Sequence, residues 1–278
     1  MTKIQFTKAH GAGNDFLLSW SDRLPESDQR ALARAICERH TGLGADGWLL
    51  IEKAPPGGDY HAAIRLYNSD GSMPEISGNG TRCAAAVLVA ESLASDAVRI
   101  LTGAGLKELR LISRSGMHFE FEMEMGRPAA QPGEVHSPLP LAEGIRQVTL
   151  VDAGNPQCAV FVDDFEFDWV RLGAEIESHP RFPARTNVSF VRVLDRHALD
   201  VRFFERGAGP TLSSGTGSTG AAWAAWLRGL VESPVEIHTP GGVLKARWDE
   251  SFYLTGPAVI IGSGEFYWEG GNRSGSGA

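Results

Sequence analysis

The chain has 278 residues, 26 basic against 34 acidic side chains for a formal charge of −8, 42% hydrophobic residues, 33 Gly and three Cys. That length allows one large domain or two ordinary ones, with cores that need no disulfide or metal staple. The acidic balance argues against a nucleic-acid partner, the lack of any Cys-x-x-Cys pair against a disulfide framework or thiolate zinc site, and the lack of an apolar run near ~18 residues against a membrane span. With no apolar signal core in Met1 to Phe6 and an odd, sparse cysteine count, the expected location is the reducing cytoplasm.

In chain order, short apolar runs predict strands over Ile4 to Lys8, Phe16 to Trp20, Trp48 to Glu52, Ala63 to Tyr67, Val98 to Thr102, Leu106 to Ile112 and His118 to Met125. The last alternates Phe119, Phe121, Met123 and Met125 with three glutamates, one face dry and one wet. A helix is predicted from Asp28 to His40, and an alanine-rich one follows Gly80. Four prolines between Gly126 and Gly144 mark a linker, dividing the chain into domains of 1–130 and 131–278. Strands resume at Val148 to Asp152, Ala159 to Val162, Val188 to Val193 and Leu199 to Phe204, a small-residue helix follows Gly217, and four strand-like runs lie between Val235 and Phe266. The Gly/Ser-rich tail from Gly270 to Ala278 is expected to be disordered or a cloning remnant.

The second half reads as a diverged copy of the first. At an offset of 137, Arg65-Leu66-Tyr67-Asn68 falls on Arg202-Phe203-Phe204-Glu205, Ser77-Gly78-Asn79-Gly80 on Ser214-Gly215-Thr216-Gly217, and Ala84-Ala85 on Ala221-Ala222; at an offset of 141, Ala12-Gly13-Asn14 falls on Ala153-Gly154-Asn155. Each of the two Ser-Gly loops opens a helix, whose N-terminal N–H groups and dipole suit a carboxylate or phosphate. Singly, each reads best as a plain N-cap; in matching places of a duplicated fold the functional reading prevails, with a ligand cleft expected where the domains face each other. The Gly215-x-Gly217-x-x-Gly220 spacing imitates a dinucleotide fingerprint, but Gly207 to Pro210 separates it from the preceding strand, which argues against a nucleotide. Asn14, Asn155 and Asn187 sit in turns or at strand ends, and each alone reads as an ordinary turn residue.

Together, Lys8-x-His10-Gly11-x-Gly13-Asn14-Asp15-Phe16, Gly42-Leu43-Gly44-Ala45-Asp46-Gly47, Asn68-Ser69-Asp70-Gly71-Ser72, Ser77-Gly78-Asn79-Gly80-Thr81-Arg82-Cys83, Gly154-Asn155-Pro156, Glu205-Arg206-Gly207-Ala208-Gly209 and Ser214-Gly215-Thr216-Gly217 resemble the diaminopimelate epimerase family. The resemblance implies an α+β protein of two pseudo-symmetric mixed α/β domains, each with strands around a central helix and the substrate cleft between them. It also implies interconversion of LL- and meso-diaminopimelate in lysine and peptidoglycan precursor synthesis, with no pyridoxal phosphate, no metal and a homodimeric state. By matching position, the substrate-binding residues would be Asn14, Asn68, Gly78, Asn79, Asn155, Asn187, Glu205, Arg206, Gly215 and Thr216.

The chain departs from that family at the chemistry. The family's acid and base are two cysteines, and their motif positions hold Ser77 and Ser214. A thiol of pKa ~8.5 can be tuned to a base near neutrality, whereas a hydroxyl near ~15.7 leaves a gap of about 7 units, or ~10 kcal/mol. Gln157 and Pro210 stand where a His and an acid are common, removing two groups that could tune the thiols. Cys83 reads as a buried structural thiol; Glu75, Asp70, His10 and Glu205 remain as acid–base candidates, Glu205 first because it occupies the place of Asn68 in the second copy. Three readings follow: an epimerase by descent with both thiols replaced, in nature or deliberately; an isomerase or dehydratase working through carboxylates; and a non-catalytic ligand-binding descendant.

Overall fold

The computed structural model describes residues 1–74 and 76–270. The expectations for Glu75 and for the tail beyond Gly270 lie outside the described residues. The strands and α-helices are β1 (Thr2–Gly11), β2 (Asn14–Trp20), α1 (Gln29–Cys37), β3 (Gly47–Lys53), β4 (Ala62–Asn68), α2 (Gly78–Ala90), β5 (Ala97–Thr102), β6 (Gly105–Ser115), β7 (His118–Gly126), β8 (Ser137–Leu141), β9 (Gly144–Asp152), β10 (Pro156–Phe161), α3 (Trp169–Glu177), β11 (Asn187–Asp195), β12 (Ala198–Glu205), β13 (Gly209–Thr211), α4 (Gly215–Leu227), β14 (Val235–Thr239), β15 (Gly242–Trp248) and β16 (Phe252–Trp268). They form two units, one of Met1–Phe121 with the chain from Pro257 onward, the other of Glu122–Gly256.

In the first unit β2 and β3 run parallel, β3 and β4 antiparallel, β4 and β5 parallel, β5 and β6 antiparallel. Each parallel step requires a crossover, and α1 and α2 supply the two. Neighbouring strands continue through β7 to β16, and β16 returns to β1 from Thr2↔Trp268 to His10↔Val259, closing the ring. Every residue of α2 from Gly78 to Val89 is buried. A helix with no wet face belongs inside a core, and its run of alanines lets the surrounding strands approach closely. Outside the ring, α1 is capped by Asp28, whose side chain accepts from Arg30 and Ala31, and it packs Leu32, Ala33 and Ile36 against Leu17, Trp48 and Leu50.

The helix ends at Cys37 rather than running to His40, because the chain turns back at once: Gly42 N–H donates to the Glu38 carbonyl and Leu43 N–H to that of Ile36. A Cβ on Gly42 would lie 2.2 Å from the Ala35 carbonyl oxygen and 2.7 Å from that of Glu38. Backbone atoms cannot step aside, so Gly42→Ala is expected to destabilise by about 3 kcal/mol, the upper end of ordinary overpacking. A melting temperature within 2 °C of the parent would contradict this packing; a fall of roughly 6–12 °C is expected.

The second unit repeats the plan: β10 and β11 parallel, β11 and β12 antiparallel, β12 and β14 parallel, β14 and β15 antiparallel. Its strand order is β8-β9-β10-β11-β12-β14-β15-β16, with β13 attached to β12. α4 has α2's length of 13 residues, and its first eleven residues are buried except Thr216. α3 was not apparent in the sequence. Asp168 caps it through the Arg171 N–H, and Leu172 and Ile176 face Phe190 and Val188. Its apolar positions are few, and the flanking aromatic and acidic residues blur their helical spacing.

Three further expectations change. The supposed linker contains β8, an edge strand paired with β9 from Ser137↔Val148 to Leu141↔Gly144. Pro138 and Pro140 point their nitrogens off the edge, where the missing N–H is harmless, and their carbonyls accept from Arg181 and His179. The domain boundary lies at 121/122 rather than near 130, and residues 257–268, expected in the C-terminal domain, pair with or lie beside strands of the first unit. Finally, three strands rather than four follow Val235, because β16 runs unbroken through Gly256-Pro257 and past Gly262 and Gly264.

Candidate active site

In the first unit, register brings the predicted residues to one end of the sheet. Asn14 pairs with Gly11 at the β1–β2 turn, Phe16 lies beside Gly47, and Gly47 beside Asn68. The N-terminus of α2 meets the same end: a Cβ on Gly11 would sit 3.2 Å from the Asn79 Cα. Ser77 is the N-cap of α2, and its Oγ accepts from the Gly80 N–H at 3.1 Å. Asn79 donates from Nδ2 to Asn14 Oδ1 at 3.3 Å, and Asn14 Nδ2 donates to Asp46 Oδ2 at 2.6 Å. Asn68 holds the following turn through Ser72 Oγ at 2.9 Å. Asp70 is spent on that turn as well, accepting from the Ser72 N–H at 2.7 Å, while His10 Nδ1 accepts from Gly13 at 3.3 Å.

Asp15, beside Asn14, is half-buried. Burial alone would raise its pKa, but hydrogen bonds and charge from Arg39 and Lys8 hold the carboxyl below its ordinary range. Cys83, one and a half turns into α2, is fully buried, and burial pushes its thiol up to about 12. At neutral pH it is an inert thiol. The same holds for Cys37 and Cys158, both buried and both near 12.

The second unit assembles the matching set. Ser214 caps α4 as Ser77 caps α2, its Oγ accepting from the Gly217 N–H at 3.1 Å. Both caps are extended, with φ/ψ of −126°/118° at Ser77 and −137°/126° at Ser214. Ser214 Oγ also donates to Glu205 Oε2 at 3.0 Å, and Thr211 Oγ1 donates to Glu205 Oε1 at 2.7 Å. Asn155 donates to Thr216 Oγ1 at 3.3 Å and accepts from Gln157 at 2.6 Å. Asn187, opposite Gln157 in register, donates to the Pro156 carbonyl at 3.0 Å and accepts from the Arg206 N–H at 3.0 Å. Gly215 is buried in the first turn of α4, while the Arg206 side chain is exposed, with Nη1 on the Ala184 carbonyl at 3.3 Å.

Within each unit, therefore, the candidates gather around one helix N-terminus. Asn14, Gly78 and Asn79 do so around the Ser77 cap, with Asn68 at the adjoining sheet end. Asn155, Asn187, Glu205, Arg206, Gly215 and Thr216 do so around the Ser214 cap. Sequence reasoning missed Thr211, the second donor to Glu205, and Asp46, the anchor of Asn14. Asp46 stands inside the glycine-rich motif at 42–47, but no local pattern tells which amide a carboxylate will meet. Close packing secures the second cluster: a Cβ on Gly217 would approach Phe203 Cδ1 to 2.8 Å, and one on Gly220 would approach Gln157 Cγ to 2.8 Å.

Chemically, each cluster offers helix N–H groups, carboxamides and a hydroxyl at the cap. This is a donor-rich surface suited to carboxylates. Only the second cap has a carboxylate bonded to its hydroxyl among the described residues.

The family model described as diaminopimelate epimerase matches residues 6–130 and 149–261. The diaminopimelate epimerase of Pelotomaculum thermopropionicum is 36% identical over 279 residues, spanning 95% of this chain and 99% of its own length. That of Azoarcus sp. is 39% identical over 286 residues, spanning 94% and 98%. The crystal structure of a hydroxyproline epimerase from Agrobacterium vitis superposes with a TM-score of 0.75 at 16% identity, covering 95% of this chain and 92% of that one. That last likeness is one of fold: strand-rich mixed α/β units with few helices. The sequence matches go further, and on them the chain belongs to the diaminopimelate epimerase family.

Proposed function

We propose that this protein recognises diaminopimelate through the residues gathered at the two serine-capped helices, and that Ser77 and Ser214 leave its epimerisation low or absent. The observation that carries this reading is the pair of matched caps, each with an Oγ where the reaction requires an ionisable thiol. The Asn14–Asn79 and Asn155–Thr216 contacts and the exposed Arg206 supply donors for a dicarboxylate that also carries amines. The substrate-binding set is Asn14, Asn68, Gly78, Asn79, Asn155, Asn187, Glu205, Arg206, Gly215 and Thr216. No cofactor or metal enters the scheme. The protein acts as a cytoplasmic homodimer in amino-acid biosynthesis; among the described residues no helix is long and apolar enough to cross a membrane.

Calorimetry with LL- and meso-diaminopimelate, run beside proton NMR in deuterated water, tests the reading. Binding with negligible loss of the α-proton signal is expected, and no binding of either isomer would sink it. The Glu205–Ser214 hydrogen bond favours one second reading, a carboxylate-driven isomerase. Under it, α-deuteration appears in the protein as it stands and vanishes in Glu205→Gln.

A further inference from the structure

Arg82 has no exposed surface, yet it sits on the core-facing helix α2. Its Nε donates to the Pro257 carbonyl at 3.2 Å and its Nη2 donates to Asn79 Oδ1, so both acceptors are neutral oxygens. Burial lowers its pKa to about 10. A guanidinium placed so deep is expensive to desolvate and calls for a reason beyond packing.

The reason lies in the hydrogen bonds that continue from Asn79. Its Nδ2 donates to Asn14 Oδ1 at 3.3 Å, and Asn14 Nδ2 donates to Asp46 Oδ2 at 2.6 Å. Asp46 also accepts from the Asp15 N–H at 3.1 Å and from Arg39 at 2.8 Å. The four side chains form one directional relay, Arg82 to Asn79 to Asn14 to Asp46. A carboxamide can turn by 180° and exchange donor for acceptor, so by itself neither asparagine has a defined polarity. The ends do. A guanidinium has no acceptor and an ionised carboxylate has no donor. If Asn79 turned over, its NH2 group would face the guanidinium and its oxygen would face that of Asn14. If Asn14 followed, its oxygen would face the carboxylate of Asp46. The two amides are thus locked together, the guanidinium and the carboxylate setting the same direction from opposite ends.

We propose that Arg82 and Asp46 are positioning residues that polarise Asn79 and Asn14, so that Asn14 presents the second hydrogen of its Nδ2 to a ligand carboxylate. The proposal deepens the function above and rests on it for the identity of the ligand. Asp46 acts through Asn14 and Arg82 through Asn79, and neither touches the ligand.

Two measurements on the same variants test it. In the ligand-free protein, the side-chain amide protons of Asn14 are followed by nitrogen-15 NMR, with Asn14→Ala providing the assignment. Asp46→Ala is expected to speed their exchange with solvent at least about tenfold, and Asp46→Asn, which keeps a carbonyl oxygen toward Asn14, to leave it near the parent rate. By calorimetry, Asp46→Ala should weaken diaminopimelate binding about tenfold and Asp46→Asn by less than about threefold. In an Asn14→Ala background, Asp46→Ala should add less than about twofold, because residues acting as one unit are not additive. Arg82→Leu is expected to loosen the Asn79 amide similarly; should it fail to fold, the Asp46 variants still decide. Unchanged Asn14 exchange in Asp46→Ala, or fully additive losses in the cycle, would overturn the proposal. If the amide results hold while the parent binds no diaminopimelate, the functional reading fails and the relay stands.

Discussion

Replacing Ser77 and Ser214 together by cysteine is expected to raise the rate of α-carbon inversion of diaminopimelate by at least about a thousandfold. The cause is acid–base chemistry at fixed geometry. Each serine Oγ already sits at a helix N-cap, 3.1 Å from the N–H of the residue three positions on. The dipole and N–H groups there can stabilise an anion, but typically by no more than ~2 kcal/mol per helix. That falls well short of the ~10 kcal/mol separating a hydroxyl from a thiol. A cysteine at the same cap begins some seven pKa units closer to neutrality, within reach of the helix and its neighbours. Inversion needs one group to remove a proton and another to return one, so neither single replacement should recover more than a small part of the gain. Chiral analysis of the product, with loss of the α-proton signal in deuterated water, measures both. A doubly restored protein that binds diaminopimelate yet never exchanges its α-proton would exclude descent by simple loss of the thiols. Gln157 stands where the family resemblance implies a histidine, and its amide cannot take up a proton to help tune a thiol, which sets a ceiling on the gain.

In that doubly restored background, Glu205→Gln should cost between about a hundredfold and a thousandfold in kcat, within the range of a lost general acid–base partner. The two carboxylate oxygens have separate tasks: Oε1 accepts from Thr211 at 2.7 Å and Oε2 accepts from the residue-214 hydroxyl at 3.0 Å. Glutamine keeps the shape. Its carbonyl can still accept from Thr211, which turns its NH2 group toward position 214. There a donor replaces the acceptor that would take a proton or steady a thiol. Because Glu205 is only partly buried and Thr211 keeps its bond, the melting temperature should move by no more than about 2–4 °C, roughly 1 kcal/mol. An unchanged kcat would show that position 214 works without its carboxylate. A collapse in stability alongside the rate would make Glu205 a structural residue instead.

How far the chain is legible from sequence differs from element to element. The strands of the first half are plain, because a ring around a buried helix demands long apolar or alternating runs. In β7 Phe119, Phe121 and Met123 are buried as expected, but Glu122 on the supposed wet face is buried too, its carboxylate held by Arg247. α2 and α4 were visible as small-residue runs after Ser-Gly caps. α3 was hidden because its capping aspartate stands amid other acids and aromatics. β8 was hidden because its prolines read as a linker, and only its place at a sheet edge makes them acceptable. The end of β16 could not be assigned from sequence. Its pairing with β1 joins residues some 260 positions apart, and nothing local records so distant a partner.

The site divides along the same line. The duplication, the two capped helices, the family and the hydroxyls at 77 and 214 are all legible along the chain, because each is a matter of residue type at a fixed spacing. Tertiary structure alone decided that Glu205 and Thr211 meet at the 214 cap and that Arg82, Asn79, Asn14 and Asp46 form one relay. A hydrogen bond depends on the register of neighbouring strands and the docking of a helix among them. It closes within a few tenths of an ångström and a limited angle, and no one-dimensional pattern carries that information.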